Sequence, residues 1–336
     1  MSGSLDRCVA CGSRALDHEL DWHGYEILEC RECGLSMTGN PDYTRDRYVA
    51  AYAGDSDAAT LPSEYAHIYT APERRLALEL SSHVVPPPQL TPAERRALAW
   101  IERHAPFAGP IVDCGCGTGR FLRALKRKRI AARGFELSPD VVAQLRSAGL
   151  DVEQGAAPDF PWAADPPYAV TFFEVLEHLP QPAAFLAPLR ERFPNAHVLA
   201  SVPSPTRVAV LKGNRQPVDY PPNHFLRWTP AALQRFFSAL GYRDVQVELP
   251  PPPGSDVLPG AASAFRRYVR REAAADLQAS PNERAPAPPP SRGAATAAVL
   301  GARTYQSVTN LVGLPIARRW AARGASASSM LVIASP

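Results

Sequence analysis

Ile111-Val112-Asp113-Cys114-Gly115-Cys116-Gly117-Thr118-Gly119-Arg120-Phe121-Leu122 is the stretch that decides how this chain is read. A short β-branched run enters a turn with glycine at every second position, and an amphipathic segment follows. Glycine lets a backbone approach a ligand closely and take dihedrals closed to other residues. The N–H groups that open the next helix face a ligand's anionic end. Strand, turn and helix in that order turn a glycine pattern into a candidate nucleotide site. Arg120 stands where a dinucleotide fingerprint needs its last glycine or alanine, so a pyrophosphate cofactor fits poorly. The phosphate loop G-x-x-x-x-G-K-[ST] is absent.

The pattern continues as a βα repeat. Phe121 to Arg129 predicts a helix with Phe121, Leu122 and Leu125 on one face, and Ala131 to Leu137 predicts a strand carrying Glu136 near its end. An acidic residue there, ~20 residues beyond the glycine turn, is where nucleotide folds bond ribose hydroxyls. A carboxylate accepts from two hydroxyls at once. Asp151 to Gln154, Tyr168 to Val175 and His197 to Val202 predict the next strands, and Thr91 to His104 predicts a helix capped by Thr91 and Pro92. Thr229 and Pro230 open a further helix to Leu240, which Gly241 closes.

The run D-x-G-x-G-x-G resembles motif I of the class I S-adenosylmethionine (SAM) methyltransferases, and Glu136 followed by Ser138-Pro139-Asp140 resembles their motif "E-x-S-x-x". The segment Phe173-Glu174-Val175-Leu176-Glu177-His178-Leu179-Pro180-Gln181-Pro182 is similar to the post-strand motif of a group that includes the ubiquinone-pathway O-methyltransferases. Asn223-His224 before Trp228-Thr229 and Gly241-Tyr242 resembles the same group. The resemblance spans about Thr91 to Pro250 plus the last strand. It implies an α/β fold, a Rossmann-like seven-stranded methyltransferase sheet, with SAM as cofactor. By it, Asp113, Gly115, Gly117, Gly119, Glu136 and Glu174 line the SAM site, and Asp113 helps hold the glycine loop. Many relatives carry an acidic residue straight after the glycine that ends strand three; Ala156 stands there, and either Asp159 or backbone groups take over that contact. His178 is the candidate general base, with an unperturbed pKa of about 6.5. Glu177 would orient it, and His224 would border the acceptor pocket. In the ubiquinone group Glu-x-x-Glu-His is associated with a divalent metal, which places Mg2+ at Glu174, Glu177 and His178, whereas many relatives carry Glu-His without one.

Six cysteines fall in two sets. Cys8-x-x-Cys11 and Cys30-x-x-Cys33 match the zinc pattern C-x₂-C-x₁₅₋₂₀-C-x₂-C. Four thiolates close a tetrahedral shell, which is structural rather than catalytic. Ala15 to Asp21 and Tyr25 to Glu29 predict a hairpin joined near His23-Gly24, hence a zinc ribbon. Cys114 and Cys116 read as small residues tolerated in the glycine loop.

The expected layout is therefore a zinc ribbon at 1–40, a tyrosine-rich linker or lid at 41–90, and a methyltransferase domain at 91–336. Asp244 to Leu249 and Met330 to Ala334 predict the last two strands, the final one antiparallel. Between them a helical insertion, 254–325, holds Ala261 to Gln278 and Ala294 to Trp320 around a proline-rich stretch. Leu300, Tyr305, Val308, Leu311, Val312 and Leu314 would form one apolar face, accompanied by Arg318, Arg319 and Arg323. Basic amphipathic helices lie on membranes; a cap or dimer contact is the alternative. Proline, 36 residues of 336, runs at roughly twice the usual ~5%.

A net charge of +3 carries no bulk nucleic-acid signature. Paired thiols without a leader point to a reducing cytoplasm, with peripheral contact at the inner membrane face through the insertion. The expected activity is methyl transfer to an oxygen or carbon of a small or lipid-linked metabolite, such as a sugar or secondary metabolite. One alternative is an RNA methyltransferase that grips RNA with the ribbon. Against it stand the ribbon's acidic residues (Asp17, Glu19, Asp21, Glu26, Glu29, Glu32) and the missing N-P-P-Y-type motif after strand four. The other is a non-catalytic scaffold, which the intact Asp113, glycines and Glu136 oppose.

Overall fold

The computed structural model describes residues 5–42, 90–155, 166–213, 219–257 and 292–336, with side chains described from 307 in the last segment. Asp159, the tyrosine-rich segment and the helix expected at Ala261 to Gln278 lie outside the described residues. Three strands open the chain: β1 (Leu16–Trp22), β2 (Tyr25–Cys30) and β3 (Ser36–Thr38). Then come α1 (Pro92–His104), β4 (Ile111–Cys114), α2 (Arg120–Arg127), β5 (Ala132–Glu136), α3 (Pro139–Ser147), β6 (Val152–Gln154) and β7 (Ala169–Phe173). A 3₁₀ turn at Leu176–His178 leads to α4 (Pro182–Arg192), β8 (His197–Pro203), α5 (Val208–Leu211), β9 (Leu226–Arg227) and α6 (Pro230–Ala239). The chain closes with β10 (Asp244–Glu248), α7 (Gly254–Val257), α8 (Arg292–Ala321) and β11 (Ser329–Ser335).

Seven strands form one sheet in the order β10-β11-β8-β7-β4-β5-β6. The pairs from β8 to β6 are parallel, and β11 is antiparallel to both neighbours. Alternate residues serve two cores, as a pleated sheet requires. Val112, Val170, Val198, Ala200 and Val332 face α4 and α6. Ile111, Ala169, Leu199, Leu331 and Ile333 face α1 and α2. The order reverses beside β4, so the crevice beyond the carboxyl ends of β4 and β7 is where a ligand enters a doubly wound sheet.

Helix α1 begins in a capping box. The Glu94 amide donates to the Thr91 hydroxyl at 3.1 Å, and the Thr91 amide to the Glu94 carboxylate at 2.6 Å. The ribbon hairpin turns at His23 and Gly24, both with positive φ (47° and 87°), as a two-residue turn matched to strand twist requires.

The ribbon shares a strand pair and a buried cluster with the rest of the chain. Its third strand, β3, pairs antiparallel with β9, a strand in the segment before α6 for which the sequence carries no strand pattern. Cys8, Cys30, Cys33, Leu35 and Met37 belong to the same buried cluster as Phe172, Val198, Trp228 and Phe237.

Helix α8 leaves its expected apolar face exposed. Val308, Leu311, Val312 and Leu314 are exposed, Leu311 at 74%. The helix buries Thr309 and Ala317 instead, because its backbone runs against α7. A side chain at Gly313 would meet the Gly254 carbonyl at 2.3 Å, and one at Gly254 the Asn310 carbonyl at 2.2 Å. Glycine at the contact admits this approach and leaves the larger apolar residues outside.

Candidate methyltransferase site

The glycine loop sits at the carboxyl end of β4. Gly115, Gly117 and Gly119 have φ of +73°, +50° and +69°, a region that costs other residues energy. They differ in what surrounds them. A β-carbon at Gly115 would meet Val175 at 2.7 Å, and one at Gly119 would meet Leu145 at 2.7 Å. At Gly117 it would meet nothing nearer than a carbonyl at 4.0 Å. Gly115 and Gly119 thus pack the loop onto its supports, whereas Gly117 borders open space.

Glu136, at the end of β5, locks the loop. One carboxylate oxygen accepts from the Gly117 amide at 3.0 Å; the other accepts from the amides of Leu137 and Ser138 at 2.8 and 3.1 Å. Asp113 is buried beneath the loop and accepts from the Thr171 hydroxyl at 2.7 Å. Burial pushes its carboxyl up to about 7, against the Thr171 hydrogen bond. Arg120 pairs at 2.9 Å with Glu94, a carboxylate buried at the start of α1. Cys114 and Cys116 are buried, and burial raises both thiols, so neither is a reactive thiolate.

Glu174 has a positive φ of 57°, a strained conformation for a side-chain-bearing residue that over-determined sites retain. Its carboxylate accepts from the Ser201 hydroxyl at 2.7 Å, and burial raises its pKa. The turn that follows carries Glu177 and His178. Together with His224 they form a buried group whose ligand atoms all lie within 4.8 Å of one another. Glu174 is not part of it; the structure assembles Glu177, His178 and His224 in place of Glu174, Glu177 and His178. His224 enters because Tyr220 turns its segment: the Asn223 and His224 amides both donate to the Tyr220 carbonyl at 3.1 Å.

His178 is oriented by backbone rather than by Glu177. Its Nδ1 donates to the Asn223 carbonyl at 2.6 Å, which puts the lone pair of the neutral ring on Nε2. Burial pushes its pKa down to about 4, against that hydrogen bond. His224 stacks edge-on to it at 4.7 Å, and burial, His178, Arg207 and Arg227 depress its pKa. Neither oxygen of the buried Glu177 carboxylate has a hydrogen-bond partner among the described residues. Burial and the neighbouring Glu174 raise its pKa well above the usual range. A buried carboxyl without a partner is costly, and a cation among these three residues would satisfy it. Two nitrogens and one carboxylate suit manganese or zinc better than Mg2+, which prefers oxygen.

The four ribbon cysteines converge. Cys8 and Cys33 sulfurs are 3.6 Å apart, as are those of Cys11 and Cys30. A tetrahedral zinc with Zn–S of about 2.3 Å sets sulfurs ~3.8 Å apart, so the cluster fits zinc and is too wide for disulfides. Each pair is closed by its glycine, with Gly12 and Gly34 amides donating to the Cys8 and Cys30 carbonyls at 2.8 and 2.7 Å.

Residues 90–247 match the family model described as a methyltransferase domain. The chain is 36% identical over 98 residues to a ubiquinone biosynthesis O-methyltransferase of Burkholderia pseudomallei, covering 27% of this chain and 42% of that protein. It is 37% identical over 98 residues to the protein of the same name from Ralstonia nicotianae, covering 26% and 40%. The chain thus matches about two fifths of the length of these relatives. Among solved structures, a SAM-dependent methyltransferase from Archaeoglobus fulgidus aligns over 72% of this chain and 94% of its own, with a TM-score of 0.43 and 16% identity. Residues 90–247 thus match a methyltransferase domain, and the strand order and glycine loop above are those of the class I SAM-dependent methyltransferase fold. The named relatives it resembles in sequence include ubiquinone biosynthesis O-methyltransferases.

Proposed function

We propose that this protein transfers a methyl group from SAM to a hydroxyl oxygen of a small molecule related to ubiquinone precursors. The observation that carries the reading is the glycine loop: Gly117, with positive φ and open space beside it, is pinned by the Glu136 carboxylate. Asp113, Gly115, Gly117, Gly119, Glu136 and Glu174 form the donor half of the site. Glu177, His178 and His224 form the acceptor half. Calorimetric titration with S-adenosylhomocysteine, followed by labelled methyl transfer to a panel of catechols and hydroxyquinols, tests it. A flat titration would leave the domain a scaffold.

In this reading His178 removes the acceptor's hydroxyl proton through Nε2. Its replacement by alanine leaves donor affinity unchanged and lowers turnover by about 10²–10⁴, the usual worth of a general base. Because the ring's pKa is depressed to about 4, the base is neutral throughout the physiological range. We expect the acid limb of kcat/KM well below the ~6.5 of an ordinary histidine; a limb at 6.5 would remove His178 from that role.

The orphaned Glu177 carboxylate favours a second reading. A divalent ion held by Glu177, His178 and His224 would acidify the acceptor hydroxyl as a Lewis acid. Titration with Mn2+ followed by electron paramagnetic resonance then finds one tight site that Glu177→Gln abolishes. No bound Mn2+ in the wild type would leave His178 acting alone.

The four cysteines are proposed to hold structural zinc. Among the described residues no helix is long and apolar enough to cross a membrane. The exposed Val308, Leu311 and Val312 beside exposed Arg318 and Arg319 fit a peripheral contact with anionic lipid. Vesicles of phosphatidylglycerol should co-sediment the protein, and Leu311→Glu should abolish that; equal recovery of both proteins in the supernatant would sink the membrane contact.

A further inference from the structure

Three separate links join the cysteine hairpin to the segment that carries His224, and each ends within a few bonds of the acceptor half. The first runs through the backbone of Phe225. Its amide donates to the Glu177 carbonyl at 2.8 Å, while its carbonyl accepts from the Thr38 amide at 2.9 Å and the Thr38 hydroxyl at 3.1 Å. The backbone of one residue is thus clamped between β3 and the turn bearing Glu177 and His178. The second link is polar. The Ser36 hydroxyl donates to Glu19 at 2.5 Å and accepts from Arg227 Nε at 2.8 Å, and the Arg227 guanidinium reaches the carbonyls of His224 at 3.2 Å and Asp219 at 3.4 Å. The third is aromatic: Trp22, at the hairpin tip, stacks on Tyr220 at 4.5 Å and 20°. Tyr220 is the residue whose carbonyl turns the chain at Asn223 and His224.

We propose that the cysteine hairpin is a positioning element of the acceptor half, with Thr38, Ser36 and Trp22 as positioning residues for Glu177, His178 and His224. A methyl acceptor must meet the donor in line, and displacement by about 1 Å costs on the order of 10²-fold in rate. The Glu177–His178 turn spans three residues, too few to hold its own geometry. A zinc-stapled sheet edge supplies the missing rigidity from outside the domain. This inference rests on the reading of Glu177, His178 and His224 as the acceptor half.

The test uses the full zinc-loaded chain and needs no acceptor. Amide hydrogen exchange is followed by mass spectrometry in Trp22→Ala and Thr38→Val, with Trp22→Phe and Thr38→Ser as conservative partners. The imidazole resonances of His178 and His224 are recorded on the same samples, together with calorimetry against S-adenosylhomocysteine. We expect exchange of residues 219–228 and 176–178 to rise about tenfold or more in Trp22→Ala and Thr38→Val. The two imidazole resonances should shift, and both effects should be reversed in the conservative partners. Donor affinity and exchange in β4, β7 and β8 should stay as in the wild type. Unchanged exchange and resonances in both variants would overturn the proposal, as would loosening spread evenly over the sheet with loss of donor affinity. Should Trp22→Ala fail to fold, Thr38→Val against Thr38→Ser decides alone. A wild type that ignores S-adenosylhomocysteine but shows the localised loosening would sink the methyltransferase reading and leave the mechanical link standing.

Discussion

Gly117→Val is expected to weaken S-adenosylhomocysteine binding at least about 100-fold while the protein stays folded. The two effects come from different parts of the substitution. A β-branched residue at φ of +50° costs about 1–3 kcal/mol in backbone strain, which in a domain of this size lowers Tm by several degrees. The new β-carbon meets no atom beyond its chain neighbours nearer than 4.0 Å, so the site is open at its base and the side chain projects into the space the donor would take. Gly119→Val inverts the pattern. There a β-carbon would lie 2.7 Å from Leu145 and 2.9 Å from Leu150, and overpacking of ~1–3 kcal/mol adds to the strain. We expect Gly119→Val to lose fold first and donor binding as a consequence. Thermal melts beside calorimetry separate the two. Equal donor affinity in Gly117→Val and wild type would show that the ligand lies elsewhere.

The second large effect is expected on removing metal from the cysteine cluster. Structural zinc supplies about 10–16 kcal/mol of apparent folding energy in small zinc domains at neutral pH. Here the loss would not stop at the hairpin, because Leu35 and Met37 are buried in the cluster that also holds Trp228 and Phe237. Cys33→Ser, or a strong chelator, should unfold residues 5–42 and expose Trp228 to quenchers, while the strands β4 to β6 keep their protection. The pH dependence has a definite sign. Burial pushes the Cys8 thiol up to about 11 and raises Cys33 further, and zinc binds only the thiolates. Affinity for zinc should therefore fall as pH drops, with protons released on binding. Zinc content by mass spectrometry and the chelation curve at two pH values check this. A protein that keeps its Trp228 shielded after complete zinc loss would separate the hairpin from the core.

The glycine loop was legible in the sequence because its conformation is set locally. The turn from Asp113 to Gly119 and the acid at Glu136 are set by residues near one another in the chain, and glycine patterns report backbone conformation directly. The four cysteines were legible for a similar reason: metal-ligand spacing is a sequence property. The acceptor half was only partly legible. Glu177 and His178 stood in one motif, but the resemblance to the ubiquinone group implied Glu174 as their third partner. The structure turns Glu174 toward Ser201 and brings His224 from beyond β8 instead. Nor could the chain alone show that Asn223 orients His178, since that contact is a backbone carbonyl, and any residue type supplies one.

The amino-acid sequence by itself determined the strand–turn–helix glycine loop, the paired cysteines of the hairpin and the order of the βα units. Each rests on dihedral preference, ligand chemistry or apolar periodicity within a few residues. Only the tertiary structure decided that β3 joins β9, that α8 turns its larger apolar residues outward, and that His224 completes the group of Glu177 and His178. The physical reason is common to all three. A two-residue strand such as β9 has no pattern of its own, and a helix face is chosen by which side lets backbones approach. A cluster drawn from residues 177, 178 and 224 exists only once packing has closed the chain between them.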